Sequence, residues 1–179
     1  MQTITRKGNF DSAHRIMNHK GKCANLHGHT YIYELTIQFN EQAALANMEN
    51  IGYPIDFADL KSLAGGYIDH YYDHALIYNP CDKELVEIVK KNPTWKALPM
   101  WLKGEVGYCN PSVENIALQL YVELEELFYI HDSPFIMSNL RIYETPNSYA
   151  DVKGKEMNHE VHSRLCDKAS DLMRVKEWK

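Results

Sequence analysis

Apolar and polar residues alternate along Thr30–Phe39, TYIYELTIQF, in a run rich in β-branched and aromatic side chains. That pattern predicts a strand with one buried face. An opening strand around Ile4–Ala13 is placed to pair with it across the loop that carries Cys23. From Phe57 to Tyr72 the spacing turns helical, with Asp56 or Asp59 near the start. Gly65-Gly66 weakens that helix, since each glycine costs about 1 kcal/mol against alanine in a helix interior. CDKELVEIVKKN reads as a short helix closed by Asn92-Pro93, and TWKALPMWLKGEVGYC after it follows neither period. The clearest helix is NPSVENIALQLYVELEELF. Its residues Val113, Ile116, Ala117, Leu120, Leu124 and Leu127 keep the 3.6-residue period behind Ser112 as N-cap. SNLRIYET alternates as a last strand ending at Glu144-Thr145-Pro146. In the tail from Asn158 to Trp178, Val161, Leu165, Ala169, Leu172 and Val175 have the spacing of a docked helix.

The order strand, strand, helix, helix, strand is not a βαβ alternation. It favours an α+β domain, with an antiparallel sheet carrying helices on one face. There is no internal repeat or low-complexity linker, and 179 residues suit one domain with a real core. A net charge of −5 gives no global basic footprint for nucleic acid or an anionic membrane. No apolar run reaches the roughly 18 residues that a membrane span needs. MQTITRKGNF lacks the apolar stretch of a secretory signal. Cys23, Cys81, Cys109 and Cys166 are widely spaced without a C-x-x-C pair, so a cytoplasmic protein with free thiols is expected.

The candidate chemistry starts at His27-Gly28-His29, which leads into the first clear strand. Residues i and i+2 of a strand share a face, so both imidazoles can reach one ion. His14, at the end of the preceding strand, can pair opposite them. Three imidazoles with an open position describe a catalytic zinc site; the plainer alternative is hydrogen-bonded core or surface histidines. Cys23 lies four residues before His27 and reads as a fourth ligand, a catalytic thiolate or a buried apolar group. YIDHYYDHALIYNP offers Asp69-His70 and Asp73-His74, where an aspartate can hold one tautomer of a general base or merely serve structure. Glu144 at a strand end can accept two parallel N–H bonds from a guanidine-like edge, or can be a solvated turn residue. HEVH at His159–His162 lacks the i, i+4 histidine pair of the zinc protease helix. No phosphate-binding loop, dinucleotide fingerprint or nucleophile elbow is present.

FDSAHR, CANLHGHTY, IDFADLK, DHALIYNP and NPSVENIA with RIYETPNSYA occur in that order over residues 10–150. Together they resemble the 6-pyruvoyl-tetrahydropterin and 6-carboxy-tetrahydropterin synthase superfamily. The resemblance implies the tunnelling fold, in which sheets of several subunits form a β-barrel with active sites at the interfaces. It implies Zn2+ on His14, His27 and His29, Cys23 as catalytic thiol, Asp73 and His74 as the catalytic Asp-His pair, and Glu144 as the anchor of the pterin ring. The doubled Asp-His leaves Asp69-His70 as the other possible register.

Cys23-Ala-Asn-Leu-His27-Gly-His29 and Asp56-Phe-Ala-Asp-Leu-Lys61 are similar to the carboxy branch, on the route to queuosine and other 7-deazaguanines. That branch implies conversion of 7,8-dihydroneopterin triphosphate to 6-carboxy-tetrahydropterin, acetaldehyde and triphosphate. The rivals are triphosphate elimination to 6-pyruvoyl-tetrahydropterin and a non-catalytic pterin-binding homologue. A small-molecule pterin triphosphate is the expected partner, with neither nucleic acid nor membrane. Arg15, Lys20 and Lys22 are candidates for its phosphates. Two stretches exceed the compact family members: an insertion near 81–110 and a helical extension over 152–179.

Overall fold

The structure, a computed structural model, describes residues 3–39, 45, 48–49, 56–104, 107–131 and 133–172. Strands β1 (Ile4–His14) and β2 (His27–Phe39) form an antiparallel pair in continuous register, from Ile4 opposite Ile37 to His14 opposite His27. A short 3-10 turn over Lys22–Ala24 joins them. Next come helix α1 (Phe57–Leu60), a π-helical turn over Lys61–Gly65 and helix α2 (Gly66–Tyr71). Asp56 is the N-cap, its side chain accepting from the Ala58 amide. The helix expected over 57–72 is therefore present, but wound through a π turn that ends at the glycine pair.

Strand β3 (Ala75–Tyr78), helix α3 (Lys83–Lys91) and strand β4 (Ala97–Pro99) follow. Helix α4 (Val113–Ile130) leads to β5 (Phe135–Thr145), β6 (Ser148–Lys153), a 3-10 turn over Gly154–Glu156 and helix α5 (His159–Asp171). Ser112 occupies the N-cap of α4 without a side-chain capping bond. The expected tail helix is α5 as far as it is described; Val175 and the end of the tail at Trp178 lie outside the described residues.

The sheet order is β4-β3-β1-β2-β5-β6. The antiparallel group β1-β2-β5-β6 matches the expected architecture. However, β3 and β4 join it in parallel, Ser12 beside Ala75 and Leu76 beside Ala97. Both are too short to show a period, which is why ALIY and ALP read only as apolar text. SNLRIYET is not the last strand either: a turn at Pro146-Asn147 returns the chain as β6.

Helices α1, α2, α4 and α5 pack on the buried sheet face. Phe10, Tyr31, Tyr33, Leu35 and Ile37 share one cluster with Leu60, Tyr67 and Ile68 and with Ile116, Leu120 and Leu124 of α4. Gly8 admits the Tyr33 ring, since a Cβ at that position would sit 2.3 Å from the Tyr33 hydroxyl. The sheet's other face is uncovered in the protomer: Thr5, Lys7, Asn9, Asp11, Thr30 and Ile32 are exposed. α4 is buried on more than the predicted stripe. Glu123 on it accepts from Tyr67 (3.1 Å), Tyr72 (2.7 Å) and Trp101 Nε1 (2.7 Å). A carboxylate without access to water is tolerable when several donors converge on it.

Candidate active site

The antiparallel register brings His14 directly opposite His27 and Ser12 opposite His29, so the three imidazoles share the helix-facing side of the β1-β2 end. Ring centroids lie 4.6 Å apart for His14 and His27, 5.2 Å for His14 and His29, and 4.9 Å for His27 and His29. One ligand atom from each falls within 4.8 Å of the others. Two rings are fixed through Nδ1: His14 Nδ1 donates to the Pro111 carbonyl (2.6 Å) and His27 Nδ1 to that of Asn25 (2.8 Å). Their Nε2 lone pairs are thereby left for an ion. His29 Nε2 is buried with no hydrogen-bond partner. An orphaned imidazole nitrogen beside two others with free lone pairs fits the donor set of a catalytic zinc site. Burial, together with the neighbouring histidines, lowers the His14 pKa and favours the neutral ring that a metal requires; the Pro111 carbonyl works the other way.

Glu144 joins this group. On leaving β5 the pairing moves from Tyr143 opposite Tyr149 to Thr145 opposite Ser148, so Glu144 is the extra residue of a β-bulge. Its Oε1 lies 3.7 Å from His14 Nε2 and 3.9 Å from His29 Nε2. Cys23 sits in the turn before β2, its carbonyl accepting from the Ile16 amide at 2.8 Å. It lies close enough to Tyr31, next to the trio, for the two groups to interact electrostatically.

Two contributors were not singled out from sequence. The Tyr31 hydroxyl lies 3.3 and 3.4 Å from the His14 ring nitrogens, and burial, with Glu144 and Cys23 adding, pushes its pKa up. Its signal was available, because Tyr31 continues the i, i+2 series of His27 and His29. The Pro111 carbonyl was not visible, since a backbone acceptor has no residue signature. Asn110 sets it in place by gripping both backbone groups of Met17 at 3.0 Å.

The Asp73-His74 pair occupies the other side of the sheet. His74 Nδ1 lies 2.6 Å from Asp73 Oδ2, and Asp73 Oδ1 accepts from the Asp11 amide at 2.9 Å. Partial burial opposes the Asp73 charge, but the Asp11 amide, His74 and Lys96 outweigh it and hold the carboxyl below its ordinary range. His74 has a left-handed backbone (φ 56°), kept there by its amide bond to Asp11 O (2.6 Å). By alternation Asp11 and Thr30 point away from the histidine trio, and with His74, Trp95, Lys96 and part of His29 they line a cavity of about 610 Å³. Asp69 and His70 lie instead on α2, with the His70 ring against Tyr71 at 4.5 Å. The geometry thus couples Asp73 to His74, but does not bring that pair to the trio within one protomer.

Arg15 is engaged elsewhere. It makes two bonds to Asp82 (2.7 and 2.6 Å) and one to Glu84 (2.8 Å), so it is not free for phosphate, whereas Lys20 and Lys22 are exposed. His19 stays in its own loop, its Nδ1 accepting from the Gly21 amide.

A family model described as 6-pyruvoyl tetrahydropterin synthase matches residues 3–155. The chain belongs to that family. Among curated relatives, the 6-carboxy-5,6,7,8-tetrahydropterin synthase of Rickettsia bellii is 36% identical over 152 residues, covering 85% of this chain and 100% of the relative. The Haemophilus influenzae protein of the same name is 31% identical, covering 86% and 99%. The 6-pyruvoyl tetrahydrobiopterin synthase of Dictyostelium discoideum is 25% identical, covering 85% and 96%. In fold, the chain matches an uncharacterized protein from Wolinella succinogenes (TM-score 0.62, 18% identity, covering 86% and 98%). It also matches a catalytic-residue mutant of Plasmodium vivax 6-pyruvoyltetrahydropterin synthase (TM-score 0.55, 20% identity, covering 85% and 98%). The fold is the family's tunnelling fold, and the chain is a relative of the pterin synthases. Among the described residues no helix is long and apolar enough to cross a membrane.

Proposed function

We propose that this protein is a zinc-dependent 6-carboxy-tetrahydropterin synthase of the cytoplasm. It takes 7,8-dihydroneopterin triphosphate and water to 6-carboxy-5,6,7,8-tetrahydropterin, acetaldehyde and triphosphate, on the queuosine and 7-deazaguanine route. The observation that carries the reading is the convergence of His14, His27 and His29, one Nε2 orphaned and two Nδ1 atoms fixed, beside the bulged Glu144. The names of the Rickettsia and Haemophilus relatives support the carboxy branch.

A zinc ion held by the three imidazoles would polarise the side-chain oxygens of the substrate and acidify the adjacent C–H. The chain's own residues do the rest. Glu144 accepts two parallel N–H bonds from the amino-pyrimidinone edge, and the ring is thereby fixed in register with the trio. Cys23 accepts a proton at Sγ from the side chain of the pterin. Asp73 holds His74 at Nδ1, which leaves Nε2 to take and return the second proton. His74 faces away from its own trio, so a neighbouring subunit supplies it, and the working enzyme is a homo-oligomer with interfacial sites.

Incubation with Zn2+ and dihydroneopterin triphosphate tests this. Acetaldehyde and a carboxylated pterin are expected in equal amounts. Release of triphosphate without acetaldehyde makes the chain a 6-pyruvoyl-tetrahydropterin synthase instead, the activity named for the Dictyostelium relative. Loss of Zn2+ binding without change in turnover removes the metal from the scheme.

A further inference from the structure

The helix that follows the family-matched region carries chemistry of its own. α5 begins at His159, beyond the match that ends at residue 155. His162 and Cys166 are one turn apart on it, and i, i+4 side chains of a helix share a face. That face meets Glu125 of α4. Glu125, His162 and Cys166 each offer a ligand atom within 4.8 Å of the others, and all three are partly buried. His162 Nε2 contacts Glu125 Oε2, and Cys166 Sγ lies 3.6 Å from His162 Nε2 and 4.0 Å from Glu125 Oε2.

We propose that Glu125, His162 and Cys166 form a second metal site, for a divalent ion of the zinc type, which fastens α5 to α4. Imidazole, thiolate and carboxylate are the donors such ions take, and together they carry the two negative charges that balance it. The Tyr121 hydroxyl donates to Glu125 Oε1 at 3.2 Å, so the outer oxygen is occupied and Oε2 is turned toward the sulfur and the ring, as a second shell orients a ligand. The same three residue types also make cysteine hydrolase triads, but the geometry here is different. A triad chains thiol, one ring nitrogen, the other ring nitrogen and carboxylate in sequence. Here thiol and carboxylate converge on the same nitrogen, Nε2, which is how ligands surround an ion.

Cobalt(II) titration of the full, metal-stripped chain tests the site, because cobalt bound to a thiolate gives a near-ultraviolet charge-transfer band. Cobalt on imidazoles alone gives none, so the result is independent of His14, His27 and His29. The band should appear in wild type and in Cys23→Ser, and vanish in Cys166→Ser and in His162→Ala, with folding of each variant checked by circular dichroism. Absence of the band in Cys23→Ser overturns the proposal without recourse to the α5 variants. Retention of the full band in folded Cys166→Ser overturns it as well.

Discussion

His14 Nδ1 donates to the carbonyl oxygen of Pro111 across 2.6 Å, so a loop 97 residues along the chain decides which nitrogen of the ring is free. That loop is held by Asn110. Asn110→Ala should leave the three imidazoles in place yet weaken zinc binding by roughly 10–100-fold, the usual cost of losing an outer-shell partner. His29→Ala should lose more than that. Competition with a colorimetric chelator measures both; equal affinity of Asn110→Ala and wild type would show that the Pro111 carbonyl does not orient the ring.

Cys23→Ala separates the thiol from the metal. Zinc content should stay at the wild-type level while turnover falls by at least ~10²-fold, as for loss of a proton-transfer group. Metal analysis paired with acetaldehyde release reads the two independently, and unchanged turnover would remove Cys23 from the chemistry.

The placement of His74 on the sheet face opposite the trio makes a mixing experiment informative. Cys23→Ala and His74→Ala should each be inactive alone. Unfolded together and reassembled in equal parts, they should regain about a quarter of wild-type activity, because a quarter of randomly formed interfaces pair two intact halves. If mixing restores nothing, both groups serve the same protomer.

Asp82 is buried, accepts two bonds from Arg15, and caps α3 through the Leu85 amide at 3.3 Å. The Arg15 guanidinium first, then the Leu85 amide, hold its pKa below the ordinary 3.8 against the effect of burial. A carboxyl depressed in the folded state stabilises above its unfolded value and loses that contribution as pH falls through the folded one. Stability should therefore decline as the pH drops below about 3.8, and Asp82→Asn should flatten that part of the profile. At neutral pH the same variant should cost roughly 1–3 kcal/mol, measured by urea unfolding, because it removes the charge from the paired bonds to Arg15 while Glu84 still holds the guanidinium and Asn still caps the helix.

Glu123→Ala should be more damaging, at about 3–5 kcal/mol, because it leaves the Tyr67, Tyr72 and Trp101 donors without their buried acceptor. Chemical denaturation gives the figure. A loss below ~1 kcal/mol would mean that water replaces the carboxylate.

What could be read from the residues divides along physical lines. β2 and α4 were legible because their faces differ in burial over many residues, and the histidine trio was legible because a period of two makes His27 and His29 neighbours. β3 and β4 were not, being three or four residues long. Glu123 could not be recognised as a core residue, since a buried carboxylate looks like a solvated one until Trp101 from another segment is placed against it. The bulge that swings Glu144 toward His14 and His29 is a matter of register, which only the paired strand fixes. On α5 the i, i+4 pair is His162 and Cys166, a mixed pair that the two-histidine pattern does not describe.

Lys168 of α5 donates to the Trp101 carbonyl and lies over the Trp101 and Tyr108 rings at 5.5 and 5.9 Å. The tail and the 81–110 segment therefore support each other on the helical layer, behind the sheet. Both thicken the helical side of the protomer and leave the other sheet face bare. What is built on the helical layer, Glu125, His162 and Cys166 included, leaves Thr5, Asn9 and Ile32 exposed on the opposite side of the sheet.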